Sequence, residues 1–287
     1  MTWIAFALLT ALCESLKDVF SKKGLANIDE YVIAWALRFF ALPFLLPILF
    51  FIKIPPLGQE FWIALSIGSG LNAFCTILYM KAIKQSALSL TVPLVALTPM
   101  FLLLTSPFMV GEFPDWSGVL GMALIVIGSY VLNFTAAPHG YFAPFRALFQ
   151  EPGPRLMLAT AFLWSITANC DKIGIQNSSP LFWSIAATSG MALVLVPIML
   201  YKSPRVLQQI PMIYKKLAPI GFFCALTVIF QMLAVSLTLV AHVIAIKRTS
   251  TVLSVLWGFL IFKEPGFKER LLGASIMVIG VLFISLF

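Results

Sequence analysis

Apolar residues fall in ten long, continuous runs, separated by short stretches that are rich in proline and charged residues. The runs lie near residues 2–20, 31–52, 60–80, 86–110, 116–134, 156–175, 181–201, 217–238, 241–262 and 269–287. A helix needs about 20 apolar residues to cross about 30 Å of hydrocarbon, whereas a β-barrel strand alternates with a period of two. The pattern therefore predicts an all-α polytopic membrane protein with ten transmembrane helices.

The composition excludes a water-soluble enzyme. Of the 287 residues, 61% are apolar and 10% are charged, against about 45–50% and about 25% in soluble domains. No Lys or Arg precedes Lys17. We therefore expect the first run to be a spanning helix and not a signal peptide, which would have a basic start.

The two halves of the chain resemble each other in sequence. LLPILFFIK at 45–53 aligns with LVPIMLYKS at 195–203, an offset of 150. A second set of matches has an offset of 152 and joins Glu112, Gly121 and Gly128 to Glu264, Gly273 and Gly280. We predict two five-helix repeats, 1–137 and 155–287, joined by a linker at 138–154. Because five is odd, the second repeat is expected to be inverted, which is typical of secondary transporters.

This spacing of Glu, Gly and Gly resembles the EamA repeat of the drug/metabolite transporter superfamily. The resemblance implies ten helices in two inverted halves, with helices one, three, four, six, eight and nine around a central cavity. It also implies a multi-pass protein of the bacterial inner (cell) membrane. It names no substrate, since the family carries amino acids, drugs, sugars and phosphorylated metabolites. We interpret the two glutamates as structural and the glycines as sites of close helix contact.

The orientation of the chain in the membrane stays open. Twelve of the 19 basic residues lie in odd-numbered connections between the runs, and one, Lys53, lies in an even-numbered one. The positive-inside rule would place both termini outside. The family resemblance implies that both termini lie in the cytoplasm.

Lys247 and Arg248 lie within the ninth run, where charge is costly. One hypothesis is an anion site, because Lys supplies a point charge and Arg a planar fork for phosphate or carboxylate. The alternative is an internal ion pair with Glu14 or Asp18, or snorkelling to the interface. Adjacent helical residues point about 100° apart, so we expect at most one to face the cavity directly. The pair also resembles the dibasic pair of the plastid triose-phosphate translocators, which supports anion binding without naming a substrate.

Other polar residues on predicted helices are candidates for substrate binding. Glu14, Lys17 and Asp18 share one face of helix one, and either bind substrate or a proton or form a structural network. On helices three and eight, Asn72, Cys75 and Tyr79 correspond at the offset of 152 to Cys224, Thr227 and Gln231. We expect Asn72, Tyr79, Thr227 and Gln231 either to contact the substrate or to form helix–helix hydrogen bonds. Asp171 and Lys172 lie near the end of helix six, where we expect them to be solvated.

Proline marks the fourth run as the candidate for a moving, kinked gate. It contains Pro93, Pro99 and Pro107, whereas the corresponding ninth run contains none. Proline frees backbone carbonyls, which neighbouring hydroxyls satisfy in membrane helices.

We therefore predict a secondary active transporter that moves a small anionic metabolite by alternating access, through exchange or proton coupling. Its partners are the metabolite and the lipid bilayer, with no nucleic acid, and the oligomeric state is open. We expect no catalytic residue, no metal and no cofactor, since no ATP-binding motif or close Cys/His spacing occurs. The alternatives are an exporter of amino acids or other zwitterions, or a membrane enzyme acting on a lipid or isoprenoid phosphate.

Overall fold

The computed structural model describes residues 2–25, 30–85, 94–134, 151–203, 206–262 and 267–286, and all regular structure within them is helical. The helices are α1 Thr2–Leu25, α2 Glu30–Phe39, α3 Leu42–Leu45, α4 Gln59–Gln85, α5 Thr98–Met109, α6 Trp116–Phe134, α7 Pro152–Gln176, α8 Pro180–Lys202, α9 Val206–Leu237, α10 Val240–Lys247, α11 Ser250–Phe262 and α12 Phe267–Leu286. A 3₁₀ helix, Leu46–Phe50, follows α3. Each of the ten predicted runs contains helix.

Several predicted boundaries differ from the structure by four residues or more, including the ends of α1 at Leu25 and of α4 at Gln85. Helix α9 begins at Val206, well before the predicted start at 217, because polar residues continue the helix beyond its apolar part. Helix α7 begins at Pro152, where proline fits because the first-turn N–H has no helical acceptor. Residues 138–150 of the predicted linker, and 86–93 of the fourth run with Pro93, lie outside the described residues.

The fourth and ninth runs are both interrupted, and at equivalent positions of the two repeats. A turn at 96–97 precedes α5, and a turn at 248–249 separates α10 from α11. Pro99 lies in the first turn of α5, but the ninth run has no proline, so its break was not predicted. Instead, the hydroxyl of Thr249 donates to the carbonyl of Ile246, and that of Thr251 donates to the carbonyl of Arg248.

Each of the principal packing contacts joins a helix of the first half to a helix of the second half. Helix α1 packs on α9, and its repeat counterpart α7 packs on α4, which is the counterpart of α9. Helices α6 and α12, which correspond to each other, form the most extensive contact. Each contact therefore has a repeat-related equivalent, as expected for two halves related by a two-fold axis.

The EamA-like glycines bring the backbones of α6 and α12 together. A Cβ on Gly121 would lie 2.7 Å from the carbonyl oxygen of Gly280, and one on Gly128 would lie 2.7 Å from that of Gly273. Both distances are too short for a side chain. Small residues of this kind allow helices to approach closely in a membrane.

Large apolar side chains cover much of the exterior. Phe50, Phe108 and Leu193 are 90%, 92% and 72% exposed. Four stretches are long and apolar enough to cross a membrane by length and composition: Tyr31–Phe50, Gln59–Tyr79, Pro180–Lys202 and Leu217–Leu237. An exterior this apolar is suited to lipid and not to water.

Candidate substrate-binding site

The break in the ninth run lets both cations face the protein interior. Lys247 ends α10, and its Nζ donates to Oε1 of Gln231 at 2.8 Å. The next residue, Arg248, donates from Nη2 to the hydroxyl of Thr98 at 2.8 Å. Between α10 and α11 the chain forms a turn, in which the backbone N–H groups of Arg248 and Thr249 donate to the carbonyls of Ala245 and Ile246. That at most one of the pair faces a cavity directly stays a prediction.

Acidic residues of α1 lie on the Lys247 side. The Glu14 carboxylate bridges two ammonium groups: Oε1 lies 2.7 Å from Nζ of Lys17, and Oε2 lies 3.8 Å from Nζ of Lys247. Asp18 is more peripheral, with 54% of its side chain exposed and Oδ1 3.7 Å from Nζ of Lys17. The ion-pair network considered from the sequence is therefore present.

Aromatic residues lie on the Arg248 side. The guanidinium carbon is 5.8 Å from the ring centroid of Trp164, and that ring lies 5.4 Å from the ring of Tyr79. The Nε atom of Arg248 is buried without a hydrogen-bond partner. Within the part of the chain that the structure describes, no carboxylate lies at ion-pair distance from this guanidinium.

The two sides of the cluster are built from repeat-related residues. Glu14 corresponds to Trp164 at the offset of 150, and Tyr79 corresponds to Gln231 at the offset of 152. One member of each pair lies on the Lys247 side and the other on the Arg248 side. Trp164 was missed from the sequence, although its alignment with Glu14 is a signal that would have found it.

Two candidate residues are not brought into this cluster. The hydroxyl of Thr227 donates to the carbonyl of Phe223 in the preceding turn. Asn72 contributes its backbone carbonyl to the hydroxyl of Thr76. Among the described residues, neither has a polar contact with the cluster. The same residues contain no group of three His, Cys, Asp or Glu that could hold a metal ion.

A second polar cluster, here called the clasp, joins the two halves at the junction of α9 and α10. Lys172 donates from Nζ to the carbonyls of Val235 and Thr238, both at 2.8 Å, and lies 3.0 Å from Oε1 of Glu112. The other carboxylate oxygen of Glu112 accepts the backbone N–H of Val240 at 2.7 Å. The clasp thus satisfies carbonyls at the end of α9 and an N–H at the start of α10.

The clasp corrects the prediction that Asp171 and Lys172 are solvated at the end of α7, the sixth predicted run. The Lys172 side chain is 12% exposed and fully engaged, so it is not solvated. Its neighbour Asp171 accepts the indole N–H of Trp183 at 2.9 Å. Glu112, which the sequence suggested to be structural, binds the first turn of a helix in the other half.

Repeat-related serines also connect the halves. Ser15 accepts the indole N–H of Trp257 at 3.1 Å, and its counterpart Ser165 accepts the hydroxyl of Thr105 at 3.2 Å. The two donors correspond to each other at the offset of 152. Arg38 of α2 also joins the halves, since it donates to the sulfur of Cys224 at 3.9 Å.

Comparison with known proteins identifies the duplicated halves. The profile of the EamA-like transporter family matches residues 1–134 and again residues 152–286. One solved crystal structure, titled only as that of a protein, is similar over 99% of this chain and 96% of its own. Its TM-score is 0.73 at 15% identity, so the likeness concerns the fold. No curated protein matches the chain. The chain, a multi-pass membrane protein with a duplicated domain, therefore belongs to the EamA-like transporter family of the drug/metabolite transporter superfamily.

Proposed function

We propose that the protein is a secondary active transporter that carries a small anionic metabolite by alternating access. The observation that carries the proposal is the partly buried Arg248 guanidinium, whose Nε atom is buried without a hydrogen-bond partner and which has no carboxylate at ion-pair distance in the described part of the chain. A buried charge without a counter-ion is costly. An anionic substrate would supply that counter-ion, and the planar fork suits a carboxylate or phosphate.

The balance of charge in the cluster supports an anion. Three cations, Lys17, Lys247 and Arg248, meet two carboxylates, Glu14 and Asp18. The formal excess is one positive charge, which a monoanion would neutralise. Trp164 packs against the guanidinium and reduces its freedom to move, so less ordering is needed when the anion binds.

The proposed transport cycle uses ten membrane crossings and two inverted halves in the inner (cell) membrane of a bacterium. Seven residues separate Val240 in the clasp from Lys247, about 10 Å along a helix. The clasp would then close one end of the site, and its opening would give access from that side. Exchange and proton coupling both fit this cycle.

A zwitterion is the second candidate substrate class. The Asp18 carboxylate is half exposed and only 3.7 Å from Lys17. It offers an acceptor for an amino group while Arg248 binds a carboxylate. Amino acids would then be carried in place of simple anions.

Counterflow in proteoliposomes tests the proposal and separates the substrate classes. Purified protein would be preloaded with carboxylates, phosphate esters or amino acids, and uptake of the matching radiolabelled compound would be measured. We expect saturable counterflow of an anion that Arg248→Gln abolishes. The control Lys53→Gln removes one positive charge at an exposed position and should leave counterflow unchanged. Product formation without flux would identify an enzyme instead and refute the proposal.

A further inference from the structure

Lys247 and Arg248 differ in the charge that surrounds them. Lys247 already has a counter-ion in Glu14 and a neutral acceptor in Gln231. Arg248 has a hydroxyl and an aromatic face instead. The residue that corresponds to Glu14 on the Arg248 side is Trp164, which carries no charge. An incoming anion therefore meets one cation, Arg248, with no carboxylate at ion-pair distance among the described residues, and one, Lys247, that already has such a partner.

The contact between Glu14 and Lys247 is the weaker of the two that Glu14 makes. Its carboxylate lies 2.7 Å from Lys17, a charge-assisted hydrogen bond, but 3.8 Å from Lys247. Lys17 is only three residues away on the same helix. Glu14 can therefore leave Lys247 while its stronger partner continues to neutralise it.

We propose that Glu14 is a tethered counter-anion of Lys247, which the anionic group of the substrate displaces when it binds. This inference rests on the proposed function, since it concerns the same site. In the empty carrier, Glu14 neutralises Lys247 inside the membrane. In the loaded carrier, the substrate bridges Arg248 and Lys247, and Glu14 stays with Lys17.

Displacement predicts that removal of the Glu14 charge strengthens anion binding. The variant Glu14→Gln keeps an acceptor for Lys17 and removes the competing charge. We expect the affinity for the anion to rise about tenfold, within the range of typical coupling between sites. A residue that only positions Lys247 would give the opposite result, because its loss would weaken binding.

The chain offers a matched control. Glu60→Gln removes the same charge from an exposed residue in the first turn of α4, whose carboxylate accepts from Asn177 and lies outside the cluster. We expect its effect on affinity to be less than about twofold, since solvent and salt screen an exposed charge. In a Lys247→Gln background, Glu14→Gln should lose most of its gain, since the two changes act on one contact.

The measurement is a titration of purified protein with inorganic phosphate and with acetate, followed by ligand-induced thermal stabilisation and by tryptophan fluorescence. Glu14→Asp is the second variant, because it keeps the bond to Lys17 and withdraws the carboxylate from Lys247. We expect it also to bind the probe more tightly, by a smaller factor. It provides the answer if Glu14→Gln does not fold.

The outcomes separate this inference from the proposed function. Tighter binding by the Glu14 variants, dependent on Lys247, supports displacement. If wild type binds a probe and Arg248→Gln abolishes binding, but neither Glu14 variant binds more tightly, only the displacement role is wrong. An equal gain in Glu60→Gln likewise overturns it, since the effect would then come from the net charge of the protein. If neither wild type nor the Glu14 variants bind phosphate or acetate, both proposals fail.

Discussion

Replacement of Lys172 by methionine tests how strongly the clasp stabilises the junction of α9 and α10. The ammonium group makes three contacts at 2.8, 2.8 and 3.0 Å, and the Lys172 side chain is 12% exposed. Lys172→Met preserves the approximate length of the side chain but removes all three contacts. Glu112 then keeps the N–H of Val240 but loses its counter-ion.

The expected loss of stability follows from the distance and the burial. Two charges 3.0 Å apart attract by about 5.5 kcal/mol at an effective dielectric constant of about 20. Desolvation offsets part of this, and measured costs of breaking a buried pair are about 3–5 kcal/mol. We expect about 4 kcal/mol for Lys172→Met, because two carbonyls also lose their donor. We expect about 3 kcal/mol for Glu112→Gln, which can still accept from Val240.

The assay is equilibrium unfolding in detergent, followed by tryptophan fluorescence, for both single variants and the double variant. Because the two residues contact each other, the double variant should be about 2 kcal/mol more stable than the sum of the single losses implies. The control is Asp18→Asn, which breaks a longer and more exposed pair and should cost less than about 1 kcal/mol. If the two single losses of stability add up in the double variant, or are no larger than that of the control, the clasp does not stabilise this junction.

Three further predictions concern the helix crossing, a helix cap and the candidate site. In the same equilibrium unfolding assay, Gly128→Ala should lower the free energy of unfolding by about 1–3 kcal/mol. Gly70→Ala, where an added Cβ would meet nothing within 4 Å, should be neutral or stabilising. Asp115→Ala should cost about 1 kcal/mol, because its carboxylate accepts the N–H of Gly118, which holds the pKa of Asp115 below its usual value. That contribution is complete above the ordinary pKa of about 3.9 and is lost as the pH falls through the lowered one, so unfolding curves of wild type and Asp115→Ala should converge in acid. Trp164→Leu should weaken anion binding about threefold in the phosphate and acetate titrations, through loss of the cation–π contact; unchanged affinity would show that the ring does not support Arg248.

Much of the fold could be predicted because its signals are local. A membrane helix requires a continuous apolar run, so the ten runs and most of their ends are visible in the sequence. Charge inside those runs is equally visible, which is why Glu14, Lys247 and Arg248 were found. The start of α9 at Val206 was missed because a helix that extends beyond the apolar region has no need of apolar residues.

The partners within the site could not be predicted, because they depend on tertiary contacts. Thr98 contacts Arg248 from another helix and no sequence pattern marks it, whereas the contact of Trp164 is marked only by its alignment with Glu14. Lys172 was expected to be solvated because it lies near a helix end, yet carbonyls of α9 bury it. The break after Lys247 has no proline and depends on threonine hydroxyls that a hydropathy pattern does not detect.

The symmetry of the scaffold fails at the site, and electrostatics gives a reason. Repeat-related contacts such as those of Ser15 and Ser165 occur in both halves. The residues that correspond to Lys247 and Arg248, however, are Val95 and Ala96, and both are buried and apolar. Cations at those two positions would repel Lys247 and Arg248. Each charge–charge repulsion is about 1.7 kcal/mol at about 10 Å and an effective dielectric constant of about 20, and further carboxylates would be needed to offset it. A substrate held between two halves contacts both of them, so one set of cations is sufficient. We therefore expect the substrate contacts to concentrate where the repeats diverge, at Glu14 and Trp164 and beside the dibasic pair, and not where they agree.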